Sequence, residues 1–222
     1  MSAEAISILS VNVGLPRVLA VVHGEEVLSA IAKQAVLGSV RVGHLGIVGD
    51  GQADLEVHGG VDKAVYAYPS EHWQWWAAQH GVVCAPNTMG ENLALRGAVE
   101  TQVAIGDRFR WGEVLLEICQ PRAPCFKLAL HTQRDDVPGQ MTLSARCGWY
   151  MRVIEEGQAP VQGAMLSRVF ASGGPNVRET FLAALHPRIT RETLLRIHDA
   201  SALSEAWRRM IAKKIAALPG GN

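Results

Sequence analysis

The sequence predicts a mainly β fold with some helix, in which a barrel or sandwich of short strands is followed by a small helical unit. In the first 170 residues, β-branched and alternating apolar runs are separated by turns and not by regular helices. Beyond Pro175 the apolar residues recur at helical spacing instead. Of the 22 glycines, 20 precede Pro175, as expected for a region with many turns.

Nine segments have the composition of strands, and most are closed by glycine or another turn residue. They are Ile6–Val13, Arg17–Val22, Ala30–Val36, Ala64–Tyr68, Val103–Ile105, Arg108–Trp111, Val114–Cys119, Tyr150–Ile154 and Met165–Phe170.

One helix is predicted among these strands, with Ser70 as its N-cap and its end near Gln79, before Gly81. Trp73 and Trp76 share one face of it and are expected to face the core rather than a ligand. A short helix is also expected after Pro124.

Three helices are predicted near the C-terminus. Asn176 to Glu179 resembles a capping box that opens the first, Thr190–His198 forms the second and Ser204–Leu218 the third. With a hinge at Ser172–Pro175, the sequence predicts a barrel domain at residues 1–174 and a three-helix domain at residues 175–222.

Charge and cysteine content exclude several classes of protein. The 21 basic and 21 acidic residues cancel, although residues 175–222 carry eight basic and four acidic side chains. Without an aromatic-interleaved basic stripe, nucleic-acid binding is not expected. Neither a secretory signal nor an apolar run of membrane-spanning length is recognised. The four cysteines form no CxxC pair, so a cytoplasmic protein with reduced thiols and no structural zinc is expected.

The segment Gln120–Lys127 is the strongest chemical signal. Two prolines stiffen it and present Cys125 at a rigid turn, with Arg122 and Lys127 nearby in sequence. Cationic neighbours and a helix start lower the pKa of a thiol, and a thiolate suits a soft metal or an electrophile. A buried structural cysteine is the alternative, and it is the expected role of the other three cysteines, Cys84, Cys119 and Cys147.

Two further segments are candidates for a binding site. Glycines at 49, 51, 59 and 60 allow backbone N–H groups to approach an anion, with His58 and Lys63 as phosphate contacts. In the turn Met89–Leu93, Glu91 and Asn92 have the groups to bind a heterocycle. The alternative for both segments is a tight turn, with Asp50 and Asp54 bonded to their own backbone.

Several catalytic patterns are missing from the sequence, among them HExxH, GxSxG, the P-loop and the dinucleotide-binding fingerprint. A Cys–His hydrolase remains open at this stage, since His58 or His131 could approach Cys125 in the fold.

Five motifs occur in an order that resembles the MOSC domain family, in particular its bacterial YiiM-like branch. They are GDGQAD, HGG-x-DKAVYAYP-x-EHW, GENL, IGDRFRWGEVLLEI and QPRAPCFKL. The resemblance covers most of residues 1–170, and the helical tail is similar to the three-helix C-terminal domain of that branch. One departure is Val61, where the family usually has proline.

The resemblance implies a MOSC-type β-barrel and a molybdenum-pterin cofactor whose metal is held by Cys125. It implies reduction of N-hydroxylated compounds, including hydroxylaminopurine bases. Charge balance of the cofactor would fall to Lys63, Arg122 and Lys127, and the pterin would be lined by His58, Gly59, Gly60, Glu91 and Asn92. Electrons would come from a separate protein, since the chain has no ferredoxin-like cysteine cluster. The chain would be a monomer or homodimer.

Two points stay open beside the resemblance. A cofactor or sulfur carrier without turnover is the alternative function, with pyridoxal phosphate on Lys63 as a further possible ligand. The arginines of the tail, Arg191, Arg196, Arg208 and Arg209, are expected to be solvated while the tail packs on the barrel. The alternative is a docking surface for an acidic electron donor.

Overall fold

The structure is a computed structural model that describes residues 5–53, 59–187 and 189–218 of the chain. Its strands are β1 (Ala5–Val13), β2 (Arg17–Val22), β3 (Glu25–Ser29), β4 (Gln34–Ala35), β5 (Ser39–Gly43), β6 (Gly46–Ile47), β7 (Val65–Pro69), β8 (Leu93–Arg96), β9 (Arg108–Trp111), β10 (Val114–Pro121), β11 (Trp149–Glu155), β12 (Gly157–Pro160) and β13 (Met165–Phe170). Its helices are α1 (Trp73–His80), α2 (Phe126–Thr132), α3 (Val137–Ser144), α4 (Val177–Leu185), α5 (Arg191–His198) and α6 (Glu205–Ala217).

Seven strands form a closed barrel in the order β13-β9-β10-β11-β7-β8-β1, and β1 pairs back onto β13 to close it. The neighbours are antiparallel except β7 and β8, which run parallel. Parallel neighbours need a crossover connection, and α1 lies within it. The predicted mainly β fold is therefore confirmed, and the barrel is formed rather than the sandwich.

Two predicted strands are wrong. In the segment Ala30–Val36 only Gln34–Ala35 is a strand, and residues 30–33 form a loop instead. Val103–Ile105 makes one isolated bridge, between Ala104 and Asn176, because the chain entering α4 lies against it. Strands β3, β5, β6, β8 and β12, of two to five residues each, are not among the predicted strands.

The predicted helix after Pro69 begins at Trp73, about one turn later than the sequence indicates. Ser70 lies inside a 3-10 turn, Ser70–His72, and makes no capping bond, so its assignment as N-cap is wrong. Gly81 ends α1 in the left-handed conformation, as predicted. Trp76 is fully buried and its Nε1 donates a 2.6 Å hydrogen bond to Tyr68, which confirms the core-facing interpretation. The short helix after Pro124 is α2, whereas α3 was not predicted.

The three C-terminal helices begin at capping residues that the sequence indicated. The side chains of Asn176, Thr190 and Ser204 each accept a hydrogen bond from the backbone N–H three residues later. Buried residues of these helices, including Phe181 and Trp207, belong to one apolar cluster with the barrel residues. The division at residue 174 stays a prediction.

Several basic side chains of these helices make contacts within the chain. The guanidinium of Arg208 donates to backbone carbonyls that follow α5, including Ala200 at 2.9 Å. Lys214 donates to Ala183 at 2.7 Å near the end of α4, and Arg196 pairs with Glu179. Cations stabilise helix C-termini, so these contacts favour packing over a docking surface.

None of the described helices has the length and apolar character needed to cross a bilayer.

Gly148 precedes β11 and lies at a position that has no room for a side chain. Its φ is +66°, and a Cβ there would lie 2.2 Å from the carbonyl oxygen of Ala67. Gly163 has φ +65° but nothing within 4 Å of its Cβ position. We expect Gly163→Ala to lower the free energy of unfolding by about 1–2 kcal/mol through backbone strain alone. Gly148→Ala should cost about 4 kcal/mol or more, because the neighbouring strand must also move.

Urea denaturation of the two variants measures this difference. Equal losses of stability at the two positions would contradict the close approach of β7 and β11 at Gly148.

Candidate functional site

A cleft opens beside the end of β10 and brings together residues that are distant in sequence. It is lined by Ser29, Ala30, Ile31, Lys33, Asp50, Gly51, Gln52, Ala53, Lys63, Tyr66, Gly90, Asn92, Arg122, Ala123, Cys125, Lys127 and Tyr150. Six candidate residues from the sequence are among them, namely Gly51, Lys63, Asn92, Arg122, Cys125 and Lys127. The sequence did not indicate Ser29, Ala30, Ile31, Lys33, Tyr66 or Tyr150 as site residues.

Cys125 lies at the start of α2, where its carbonyl accepts the Leu128 N–H at 3.0 Å, and it is half-buried. It is the one cysteine among the described residues that lines the cleft. Burial raises the pKa of Cys84 and of Cys119 to about 12, and that of Cys147 well above its ordinary value. These three thiols therefore stay protonated near neutral pH, which is consistent with the structural role expected for them.

Arg122 is the most unusual group of the cleft, because its residue is only 5% exposed. Its Nη1 lies 3.1 Å from the sulfur of Met141, and its guanidinium carbon lies 5.5 Å from the centre of the Tyr66 ring. Within residues 5–53, 59–187 and 189–218, no carboxylate forms an ion pair with it. Buried charges are normally paired, so this guanidinium needs an anion from outside the described residues.

The charge of Arg122 is retained despite its burial. Burial opposes the charged form, but the nearby phenols of Tyr66 and Tyr150 and the thiol of Cys125 favour it, and the pKa is raised. Arg122 and Cys125 are thus close enough to interact electrostatically.

Tyr66 and Tyr150 form an aromatic wall, with ring centres 5.1 Å apart. Burial raises the pKa of both phenols, so both keep their protons at neutral pH. The Tyr66 hydroxyl donates to the carbonyl of Cys147 at 2.9 Å. The Tyr150 hydroxyl accepts a side-chain hydrogen bond from Arg122, and this residue lines the cleft.

The alternative for the glycine-rich segment, in which Asp50 bonds its own turn, is wrong, and Asp54 lies outside the described residues. The Asp50 Oδ1 accepts hydrogen bonds from the Gly14 N–H at 2.8 Å and from Lys33, while its Oδ2 accepts from Asn92 at 2.8 Å. Asn92 also accepts the Tyr66 N–H at 3.0 Å, so it ties three segments of the cleft together. Among the described residues that line the cleft, Asp50 is the one carboxylate, beside the cations Lys33, Lys63, Arg122 and Lys127.

Glu91 lies behind the cleft and not on its surface. It is fully buried, and its carboxylate accepts the backbone N–H groups of Asn87 at 2.7 Å and Met89 at 3.0 Å. It therefore closes its own turn, which was the alternative left open by the sequence. Burial raises its pKa to about 7, although these backbone hydrogen bonds oppose the shift.

The HGG segment contributes to the cleft through Lys63. His58 lies outside the described residues, and Gly59 and Gly60 do not line the cleft. Gly60, at φ +95°, opens the 3-10 turn Val61–Lys63 that carries the lysine.

The Cys–His hydrolase is not supported by His131. Its Nε2 lies 3.0 Å from the carbonyl oxygen of Asn87, and it lines a separate surface groove with Arg134.

The side chains of the cleft fit an anionic cofactor that itself supplies most of the atoms that coordinate its metal. In the described ranges no group of three or more His, Cys, Asp or Glu side chains converges on one point. The cleft offers one thiol, Cys125, together with the cations Lys63, Arg122 and Lys127.

Glu91 predicts a pH dependence of stability. Its folded-state pKa of about 7 lies above its ordinary value of 4.5, so the protonated carboxyl favours the folded state. This contribution is complete below about pH 4.5 and is lost as the pH rises through about 7. The total loss in the free energy of unfolding is about 3 kcal/mol. In Glu91→Gln the fall in stability between these pH values should be absent.

The measurement is the slope of the free energy of unfolding with pH. The absolute stability is not compared, because the amide accepts only one of the two N–H groups and lowers stability at every pH. Glu192→Gln, at an exposed position of α5, is the control and should keep the wild-type slope. An unchanged slope in Glu91→Gln would rule out this carboxyl as its source.

Known proteins resemble the chain in sequence. Residues 54–165 match the MOSC domain. The protein YiiM of Escherichia coli (strain K12) is 38% identical over 190 residues, which are 84% of this chain and 84% of that protein. A protein named "Reductase" from Gibberella moniliformis is 36% identical over 138 residues, which are 60% of this chain and 24% of that protein.

The fold agrees with the sequence match. The crystal structure of YiiM from Geobacillus stearothermophilus superimposes with a TM-score of 0.79 at 32% identity, and the match covers 95% of this chain and 99% of that one. With half of the chain matched by the domain and a relative that is 38% identical over most of both chains, this protein belongs to the MOSC domain family.

Proposed function

We propose that this protein is a molybdenum-cofactor-dependent reductase of N-hydroxylated compounds, such as N-hydroxylated purine bases. The observation that carries the proposal is the buried guanidinium of Arg122 beside Cys125, in a cleft whose described lining has four cationic side chains and one carboxylate. Membership of the MOSC family and similarity to a protein named "Reductase" support it. A soft thiolate suits a molybdenum centre, and an anionic pterin phosphate and dithiolene would compensate the cations.

Each side of the cleft has a role in this proposal. The Cys125 sulfur is the protein ligand to the metal, Arg122 and Lys127 balance the negative charge of the cofactor, and Lys63 reaches it from the HGG turn. Asn92 lines the cleft and holds Asp50 in place, whereas Glu91 acts from behind, since it closes the turn next to the cleft. Gly59, Gly60 and His58 remain proposed contacts of the pterin.

The bound cofactor supplies a two-electron reduction, with electrons from a separate donor protein. Conversion of an N-hydroxylamine to an amine and water consumes two electrons and two protons. The Tyr150 hydroxyl holds a proton at neutral pH and lines the cleft, so it is placed to donate a hydrogen bond or a proton to the departing oxygen. The Tyr66 and Tyr150 rings give a planar base an aromatic surface.

A second candidate function follows from the accessibility of Cys125. A half-buried thiol at the rim of a cleft can also carry sulfur as a persulfide, as a carrier without turnover would require. Pyridoxal phosphate is the further ligand to consider, because Lys63 lines the same cationic cleft. Molybdenum in one-to-one ratio with turnover supports the reductase, whereas sulfane sulfur without turnover supports the carrier.

Cys125→Ser should abolish both molybdenum retention and reduction of an N-hydroxylated purine, because the hydroxyl is a poor ligand for this metal. The protein is prepared from a host that makes the cofactor, and metal is measured by elemental analysis. Cys84→Ser is the matched control, since Cys84 lies outside the cleft and should keep both properties. Full activity and metal content in Cys125→Ser would exclude the ligand role.

Arg122→Met should separate stability from binding. Methionine has similar length without charge, so in the cofactor-free chain the melting temperature should stay the same or rise. Affinity for inorganic phosphate, measured by calorimetric titration, should fall by about tenfold or more, since a charge-assisted contact is lost.

Arg110→Met is the control for Arg122→Met, because Arg110 is a partly exposed cation that pairs with Glu155 on the barrel exterior. It should keep the wild-type phosphate affinity. A strongly destabilised Arg122→Met that still binds phosphate normally would show that Arg122 serves the fold and not a ligand.

A further inference from the structure

The side chain of Arg152, on β11, joins three separate parts of the molecule. Its Nε donates to Asp62 Oδ1 at 2.9 Å, its Nη1 lies 3.4 Å from Glu117 Oε1, and its Nη2 donates to the Ala202 carbonyl at 3.1 Å. The side chain is 23% exposed, and Arg152 does not line the cleft.

The contact with Asp62 bears on the cleft, because Asp62 precedes Lys63 in the 3-10 turn Val61–Lys63. The backbone carbonyl of Asp62 accepts a hydrogen bond from the Cys119 thiol at 3.2 Å. Both the carboxylate and the carbonyl of Asp62 are therefore held by the neighbouring strands β10 and β11. This fixes the turn that presents Lys63.

The same two strand residues hold the segment between α5 and α6. Arg152 donates to the Ala202 carbonyl, and the Cys119 carbonyl accepts the Ser204 N–H at 3.0 Å. The C-terminal helices and the lysine turn thus share their anchors. A shift of the helical unit would move both anchor points.

We propose that Arg152 is a positioning residue through which the C-terminal helices set the place of Lys63 in the cleft. The planar guanidinium has enough donors for a carboxylate pair and a carbonyl at once, which the single ammonium of lysine cannot reproduce in this geometry. The inference rests on the proposed function only in taking the cleft to bind an anion.

The test is a double-mutant cycle between Arg152 and Lys63 in the full chain, with inorganic phosphate as the probe and calorimetric titration as the measurement. Arg152→Gln should weaken phosphate binding on the order of fivefold, as expected for coupled groups. In a Lys63→Met background the same change should have no further effect, because Arg152 acts through the lysine. A purely structural role would weaken binding equally in both backgrounds and overturn the proposal.

Arg108→Gln is the matched control. Arg108 donates to the other oxygen of the same Glu117 at 2.8 Å, but it has no contact with Asp62. It should leave phosphate affinity unchanged, and a loss equal to that of Arg152→Gln would overturn the proposal. If Arg152→Gln does not fold, as judged by its melting transition, Asp62→Asn removes the partner group and should behave in the same way.

Molybdenum content separates this inference from the proposed function. If the wild-type protein holds no molybdenum while the mutant cycle shows coupling between Arg152 and Lys63, the reductase is contradicted and the positioning role is supported. A chain that retains molybdenum but shows additive effects supports the reductase and overturns the positioning role. A wild-type chain that binds no phosphate overturns the inference as well.

Discussion

The cleft is organised around one electrostatic requirement, which is the burial of the Arg122 guanidinium without a carboxylate partner among the described residues. Taking an ion out of water is costly unless hydrogen bonds or an opposite charge compensate it. The compensation that the chain provides is weak, consisting of the Tyr66 ring, the Tyr150 phenol and the Met141 sulfur. Such a site can accept an anion. A binding function would explain why the chain keeps a buried charge that lowers its stability.

The barrel makes this burial possible through a few close approaches. The backbone N–H of Arg122 reaches the Gly148 carbonyl at 3.4 Å, and the Gly148 N–H donates to Glu100 at 2.7 Å. Glu100 in turn pairs with the buried His72 at 2.7 Å. The N–H and the carbonyl of Gly148, just before β11, are therefore both hydrogen-bonded. These bonds set the path of the chain as it leaves β10 toward Cys125.

The C-terminal helices belong to the same system. Their cations, such as Arg208 and Lys214, satisfy helix carbonyls, so the charge asymmetry between the two parts of the chain is used largely within the chain. What the helices contribute to the cleft passes through backbone carbonyls and N–H groups at Ala202 and Ser204. The side chains of Ala202 and Ser204 take no part in these contacts, so a sequence pattern cannot reveal them.

By itself the sequence determined the mainly β fold and the three capped C-terminal helices, and it singled out Cys125, Arg122 and Lys127, which line one cleft, because these depend on local periodicity, capping and proline stiffness. The tertiary structure alone decided that Asp50 pairs with Lys33 and Asn92, that Glu91 is turned away from the cleft, and that Tyr66 and Tyr150 form its wall. The contacts of Asp50 and the pairing of Tyr66 with Tyr150 follow from barrel closure, which brings together segments many residues apart, whereas Glu91 is held by hydrogen bonds within its own turn. Local pattern does not encode which distant groups meet, or whether a buried charge finds a partner.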